Sequence, residues 1–273
     1  KIKKLTLFCV LTFCIFLAFP QSNTYALMFN AGSPAELINA INVANGTAGV
    51  DVINLTGNIT LTAVDNVTNG PNGLPAITTP IIIMGNGFTI TRAGGSPQFR
   101  IFYVAGGFFG DGDLTLDNIT IAGGDINIGA TCFIAVDQCG GGVLNYGGFL
   151  TVRNNTVFTN NVAYGGGAIY NFGEVDIIDT TFTANNAEFG GGIYNTGGQL
   201  GNPATVNIQT SSFINNVTTL TGAGIHNEAE LFVNDSLFTG NQVTTVPPFG
   251  FGGGGIYNQT FNGFVEVTNS TFT

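Results

Sequence analysis

The side chains with chemistry to offer are few: 6 Lys or Arg, 16 Asp or Glu and a single His in 273 residues. Paired carboxylates come first, because glycoside hydrolysis needs two of them about 5 to 9.5 Å apart, one as acid and one as base or nucleophile. Three candidate pairs are Asp111 with Asp113, Asp176 with Asp179, and Glu228 with Glu230. In extended chain, positions i and i+2 share a face, which suits the first and third pairs, while Asp176 and Asp179 flank a corner. Elimination from an acidic polymer needs a cation beside the substrate carboxylate as well as a base. Beyond residue 26 only Arg92, Arg100 and Arg153 are cationic, and they are scattered. His226 is alone, without a catalytic partner in its motif. Asp111-Gly112-Asp113 also offers oxygens to a Ca²⁺ ion, with Asp117 or Asp125 nearby in sequence, or else reads as an Asp-Gly turn. No other cofactor motif is present, and no catalytic residue is assigned.

Composition points to the elements that must carry these residues. Charged residues make up 8% of the chain and apolar residues 44%, with 41 Gly, 24 Phe and no Trp. That charge content is about a third of the ~25% usual in globular domains, so a packed core is expected and a disordered chain is not. Basic residues are too few and too dispersed to neutralise phosphates, which excludes a nucleic-acid partner. Lys1, Lys3 and Lys4 precede an apolar run from Leu5 to Phe19, then Pro20 and a polar stretch ending at Thr24-Tyr25-Ala26. Basic, apolar and small-residue regions in that order read as a secretory signal peptide over residues 1–26. Its apolar run is shorter than the ~20 residues that cross a bilayer, and no later segment can span one as a helix. The rest carries 3 Arg against 16 acids, about −13, which favours solubility and disfavours anionic partners. Cys132 and Cys139 lie in this exported part, where an oxidising compartment and C-x6-C spacing predict a disulfide closing a small loop.

Aligning the chain on one Asn brings out a repeat. Gly141-Gly142-Val143-Leu144-Asn145, Gly167-Ala168-Ile169-Tyr170-Asn171, Gly191-Gly192-Ile193-Tyr194-Asn195, Gly224-Ile225-His226-Asn227 and Gly254-Gly255-Ile256-Tyr257-Asn258 follow at steps of 26, 24, 32 and 31 residues. Each later unit continues with Val175-Asp176-Ile177, Val206-Asn207-Ile208, Leu231-Phe232-Val233 or Val265-Glu266-Val267, then with Phe182, Phe213, Phe238 or Phe272. F-x-x-N follows in Phe158 to Asn161, Phe182 to Asn185, Phe213 to Asn216 and Phe238 to Asn241. These runs are short, alternating and β-branched, hence strands. Three short strands per unit cannot bury an apolar face alone, but stacked units pair equivalent strands at ~4.8 Å around a shared core. The expected architecture is an all-β solenoid, a parallel β-helix.

Within such coils Asn145, Asn171, Asn195, Asn227 and Asn258 are expected to form an inward or corner ladder of amides. If Ile169, Ile193, Ile225 and Ile256 point inward, alternation sends Tyr170, Tyr194, His226 and Tyr257 outward on one face. An exposed ladder there would suit sugar rings or a protein partner, or would simply stiffen the sheet by cross-strand stacking. The extra residues of the longer units, around 197–204, Thr218 to Thr221 and Val243 to Phe251, are expected as side loops. Residues 51–139 keep the strand texture with a less regular period, as in Val52 to Leu55, Ile81 to Ile83 and Leu114 to Leu116. Leu37, Ile38 and Ile41 recur at helical spacing after Pro34, with Ser33 or Asn30 as N-cap, so residues 27–50 are expected to cap the solenoid with a short helix. Regular coils fill 140–273 and stop in mid-coil at Phe272-Thr273, which reads as C-terminal truncation.

Residues 34 to 92, with the helix, Val50-Asp51-Val52-Ile53-Asn54-Leu55, Ile59-Thr60-Leu61 and Ile81-Ile82-Ile83-Met84-Gly85-Asn86-Gly87, resemble the opening of the CSLREA-domain β-helix proteins of bacteria. Residues 140 to 273 resemble the repeats of polymorphic outer membrane proteins, defined by G-G-A-I and F-x-x-N, here Gly166-Gly167-Ala168-Ile169 and Phe182 to Asn185. The resemblance implies a right-handed β-helix, secreted or displayed at a bacterial cell surface or outer membrane. Such proteins are often adhesins or monomeric autotransporter passengers, with an extracellular protein or glycan as partner. The motifs specify coils and not chemistry. A non-enzymatic binding scaffold is the leading expectation. The alternatives are a polysaccharide-active enzyme, whether a pectin lyase-like lyase or a glycoside hydrolase, and a passive extracellular scaffold. No carboxylate pair lies within the N-x-D, D-D, G-H-G and R-x-K set of pectin hydrolases.

Overall fold

A computed structural model describes residues 25–107, 110–126, 136–197, 204–245, 252–259 and 263–273. Residues 1–24 of the expected signal peptide, Cys132 and segments 198–203 and 246–251 lie outside the described residues. Among the described residues the strands form four sheets of nine, eight, six and three members. The nine-stranded long sheet is built from strands such as Asp113–Asp117, Phe149–Arg153, Glu174–Ile178, Thr205–Gln209, Glu230–Asn234 and Phe264–Thr268. The eight-stranded Phe sheet includes Val157–Thr159, Thr181–Thr183, Ser212–Ile214 and Leu237–Thr239. The six-stranded Asn sheet includes Ile169–Asn171, Ile193–Asn195, Ile225–Asn227 and Ile256–Asn258. The chain runs from Asn sheet to long sheet to Phe sheet and returns one coil along. Ile169 pairs with Ile193, Ile193 with Ile225 and Ile225 with Ile256, all in parallel register. This is a parallel β-helix.

Three later coils add a fourth strand, Asn186–Phe189, Val217–Thr221 and Gln242–Val243, which together make a small outer sheet. Thr218 to Thr221 is therefore a strand and not the side loop its extra length suggested. Its β-branched residues favour extended chain, and the strands on either side offer backbone partners.

The interior is a column of repeated side chains. Phe158, Phe182, Phe213, Phe238 and Phe272 stack face to face with centroids 5.2, 4.6, 4.7 and 4.6 Å apart. At one end of the column sits the helix Pro34–Ala44, its Leu37, Ala40, Ile41 and Ala44 buried in the same core. Ser33 is the N-cap, its hydroxyl accepting from the Glu36 amide, and Pro34 needs no amide partner in the first turn.

Two amide ladders tie the coils together. Asn145, Asn171, Asn195 and Asn227 each donate from Nδ2 to Oδ1 of the next Asn, ending at Asn258, over 2.7–2.9 Å. The Asn of F-x-x-N makes a second ladder, Asn161 to Asn185 to Asn216 to Asn241, while its Nδ2 also donates to a carbonyl one coil back. Buried amides are affordable only when satisfied in this way.

Corners need left-handed backbone. Gly166 opens the G-G-A-I motif at φ 62°, and a Cβ there would lie 2.2 Å from the Ile169 carbonyl oxygen, so only Gly fits. The corner before the second ladder is held by Asn160, Asn215 and Gly240, but by Ala184 at φ 55° in one coil. Left-handed backbone costs a residue with a plain Cβ about 1–2 kcal/mol. Ala184→Gly is therefore expected to raise stability by about 0.5–1 kcal/mol, after the extra entropy of the unfolded glycine chain is counted. A lower urea midpoint for this variant would refute the strain at that corner.

Candidate functional site

The aromatic ladder of the Asn sheet does not face solvent. Tyr170, Tyr194 and His226 are 2–3% exposed. Alternation does turn them away from the Phe column, but Tyr170 and Tyr194 enter a second apolar cluster with Tyr103, Ala105, Leu144 and Cys139, against which Tyr164, Phe172 and Phe189 pack, and His226 lies against Tyr194 with ring centroids 4.4 Å apart. Phe189 belongs to the outer sheet, and its ring meets His226 edge-on at 5.5 Å. The expected exposure of Tyr170, Tyr194 and His226 is thus corrected: outward strand residues are buried when a further layer covers them. Tyr257, in the last coil, remains partly accessible and lies 5.1 Å from the His226 ring.

His226 has partners that its motif does not reveal. Thr221 Oγ1 lies 2.6 Å from His226 Nδ1, and His226 Nε2 lies 3.2 Å from Glu228 Oε1. Glu228 also accepts from Tyr194 Oη at 2.8 Å and from Thr196 Oγ1 at 3.0 Å. Hydroxyl, imidazole and carboxylate in that order have the connectivity of a hydrolytic triad. Thr221 is only 2% exposed, however, and the imidazole is enclosed by Phe189, Tyr194 and Tyr257. No acyl substrate reaches that hydroxyl, and the chain of bonds clamps the outer sheet to the Asn sheet. Burial raises the Tyr170 and Tyr194 pKa values and keeps both phenols neutral.

Burial opposes the charge of Glu228, but bonds from His226, Tyr194 and Thr196 outweigh it and hold the carboxyl below its ordinary range. A depressed carboxyl pKa contributes stability that is present above the unfolded value and lost as pH falls through the folded one. Glu228→Gln is expected to cost about 1 kcal/mol at neutral pH, after allowing for solvent screening, with the gap closing in acid below the ordinary carboxyl pKa. Thermal melts of both proteins across pH test this, and a pH-independent gap would contradict it.

The other expected sites separate. Asp176 points outward in the long sheet, whereas Asp179 sits in the next corner at φ 49°, bonded to Thr210. Glu230 opens a long-sheet strand and accepts from Thr205 Oγ1, apart from the clamp that holds Glu228. Asp111 and Asp113 flank Gly112 at the start of the strand Asp113–Asp117. Among the described residues no three His, Cys, Asp or Glu side chains gather as metal ligands. Cys139 is buried and disulfide-bonded. The arginines are committed to structure: Arg92 pairs with Asp125 at 3.3 Å, Arg153 with Asp117 at 2.8 Å, and Arg100 is fully buried.

What the structure exposes is the outer face of the long sheet. Register aligns Asp113, Phe149, Glu174, Thr205, Glu230 and Phe264 in one row along the solenoid. The adjacent row runs Thr115, Thr151, Asp176, Asn207, Phe232 and Glu266. An open groove of about 450 Å³ lies over the second row, lined among others by Asp176, Ile178, Asn207, Phe232 and Glu266. Phe149 and Phe264 are 53% and 50% exposed. Sequence reasoning missed this face because it followed the three-residue Tyr strands. The period-two alternation of the five-residue strands would have found it.

The fold and its surfaces define a parallel β-helix repeat protein. Residues 155–171 match the Chlamydia polymorphic membrane protein (Chlamydia_PMP) repeat. In this chain that stretch holds Phe158 of the ring stack, Asn161 and Asn171 of the two ladders, Gly166 of the corner and Ile169 of the core. The matched stretch thus spans the Phe-sheet and Asn-sheet strands of one coil and leaves out its long-sheet strand. No curated protein and no solved structure matches the chain. Among the described residues no helix is long and apolar enough to cross a membrane.

Proposed function

We propose that this chain is an exported, adhesin-like binding scaffold of a bacterial surface, which meets its partner through the outer face of the long sheet. The observation that carries the reading is the match of residues 155–171 to the polymorphic membrane protein repeat, in which Phe158, Asn161, Ile169 and Asn171 are all buried. Function in such a solenoid is left to the faces that the repeat does not specify. Support comes from the signal-peptide pattern of residues 1–26 and from the commitment of Arg92, Arg100 and Arg153 to ion pairs or burial, which takes up every arginine among the described residues, where lyase chemistry needs a cation beside the substrate. Beads coated with the chain are expected to be retained on cultured cells or on a glycan array, with no release of reducing sugar from polysaccharides. Turnover without retention would overturn the reading.

A further inference from the structure

The row Asp113, Phe149, Glu174, Thr205, Glu230, Phe264 has a period of its own. Carboxylates stand on every second coil, and phenyl rings occupy two of the three positions that follow them. Coils repeat at about 4.8 Å, so the carboxylates recur at about 9.6 Å. A polyproline II helix has three residues per turn and rises about 3.1 Å per residue, so every third side chain shares a face at about 9.3 Å. The two periods agree over the three carboxylates. An extended β-strand does not match in this way, because its faces alternate every second residue.

We propose that this row binds a basic polyproline II segment of a protein partner, with Arg or Lys at every third position. This rests on the binding-scaffold reading and names its partner chemistry. Charge complementarity selects a cation. The two rows present Asp113, Glu174, Glu230, Asp176 and Glu266, while the nearest Arg on this sheet, Arg153, is already held by Asp117. The cations sit on the carboxylates, and the intervening proline rings lie on Phe149 and Phe264, as Pro-rich segments do on aromatic surfaces elsewhere. Phe232, whose ring lies 5.5 Å from that of Phe264, extends the apolar surface into the neighbouring groove. Spacing acids apart would by itself avoid like-charge repulsion along the row. It does not explain phenyl rings half exposed at positions that Thr fills equally well at Thr205.

The test is fluorescence anisotropy of a labelled peptide of about four Pro-Pro-Arg repeats titrated with the chain. A Pro-Arg alternating peptide of equal charge, a Pro-Pro-Glu peptide and a chitosan oligomer serve as comparisons. Pro-Pro-Arg is expected to bind, to weaken about tenfold or more between about 50 and about 500 mM salt, and to outbind the alternating peptide. Glu174→Gln with Glu230→Gln is expected to weaken binding about tenfold, and Phe149→Ala several-fold. All of these lie on the surface, so circular dichroism should not change. Equal binding of the alternating peptide, indifference to the double substitution, or tighter binding of chitosan would overturn the proposal. Cell or glycan retention without a response to Pro-Pro-Arg removes this inference and leaves the scaffold reading. Peptide binding without retention does the reverse.

Discussion

Asn185→Ala is expected to destabilise the solenoid by about 3–5 kcal/mol, although it removes only a small polar side chain. Asn185 Oδ1 accepts from both the backbone amide and Nδ2 of Asn161, at 3.1 and 3.0 Å. Its Nδ2 donates to the Phe158 carbonyl and to Asn216 Oδ1, each at 3.0 Å. Asn161, Asn185 and Asn216 are fully buried, so water cannot replace the lost bonds. Each stranded group costs about 1–3 kcal/mol, and the sum is moderated by relaxation. Asn185→Asp keeps the acceptor but loses both donors, and its charge faces two oxygens. Its deficit should shrink as the carboxyl is protonated in acid. Because neighbouring coils carry a solenoid's stability, the loss should also split urea unfolding into two steps, one on each side of the damaged coil. An alanine variant within about 1 kcal/mol of the parent would refute the ladder's energetic role.

Arg100→Met should cost a similar amount in the irregular coils, outside the two Asn ladders. Arg100 is fully buried, and burial pulls its guanidinium down to about 9, opposed by Asp137 and Tyr103, so it stays a cation at neutral pH. Nη1 donates to the Asn69 carbonyl at 2.8 Å and to Asn72 Oδ1 at 3.2 Å, and Nη2 donates to the Asp137 carbonyl at 2.9 Å. One side chain thus pins two otherwise unrelated loops. Methionine fills much of the volume but leaves three acceptors without their donor, an expected loss of about 3–5 kcal/mol. Lysine keeps the charge but lacks the fork that spans these acceptors, so it should recover only part. Hydrogen exchange separates a local from a general effect. Protection should fall at Gly70 and Asn72, whose amides bond to Val67 and Asn66, while amides of the Phe sheet between Val157 and Thr239 keep theirs. Unchanged protection at both loop positions would refute the pin.

The reading of the fold from sequence succeeded where one physical requirement was repeated. Ile169, Ile193, Ile225 and Ile256 each had to fill the same slot, so a periodic pattern was legible before any coordinates. The same logic named the Asn of each Asn-sheet strand, because an amide bonded to its own kind in the next coil leaves an identical residue at each step. It failed at Tyr170, Tyr194 and His226. Alternation tells which side of a strand a residue takes, but not whether another layer covers that side. Here Phe189 and Tyr164 do so from segments that share no motif. Thr221, five residues away, becomes a partner of His226 through the turn at Gly222, φ 62°, and Glu228, two residues on, reaches the other ring nitrogen.

Residue types and their period determined the solenoid, its stacking register and its buried columns, because those follow from local alternation and from like meeting like one coil away. Stacking alone decided which surface is left to act. Asp113, Glu174 and Glu230 are 61 and 56 residues apart along the chain, and only the pairing of long-sheet strands sets them on alternate coils of one row with phenyl rings beside them. Distance through space depends on how many residues each coil spends in its corners, and that is settled by packing and not by any single motif.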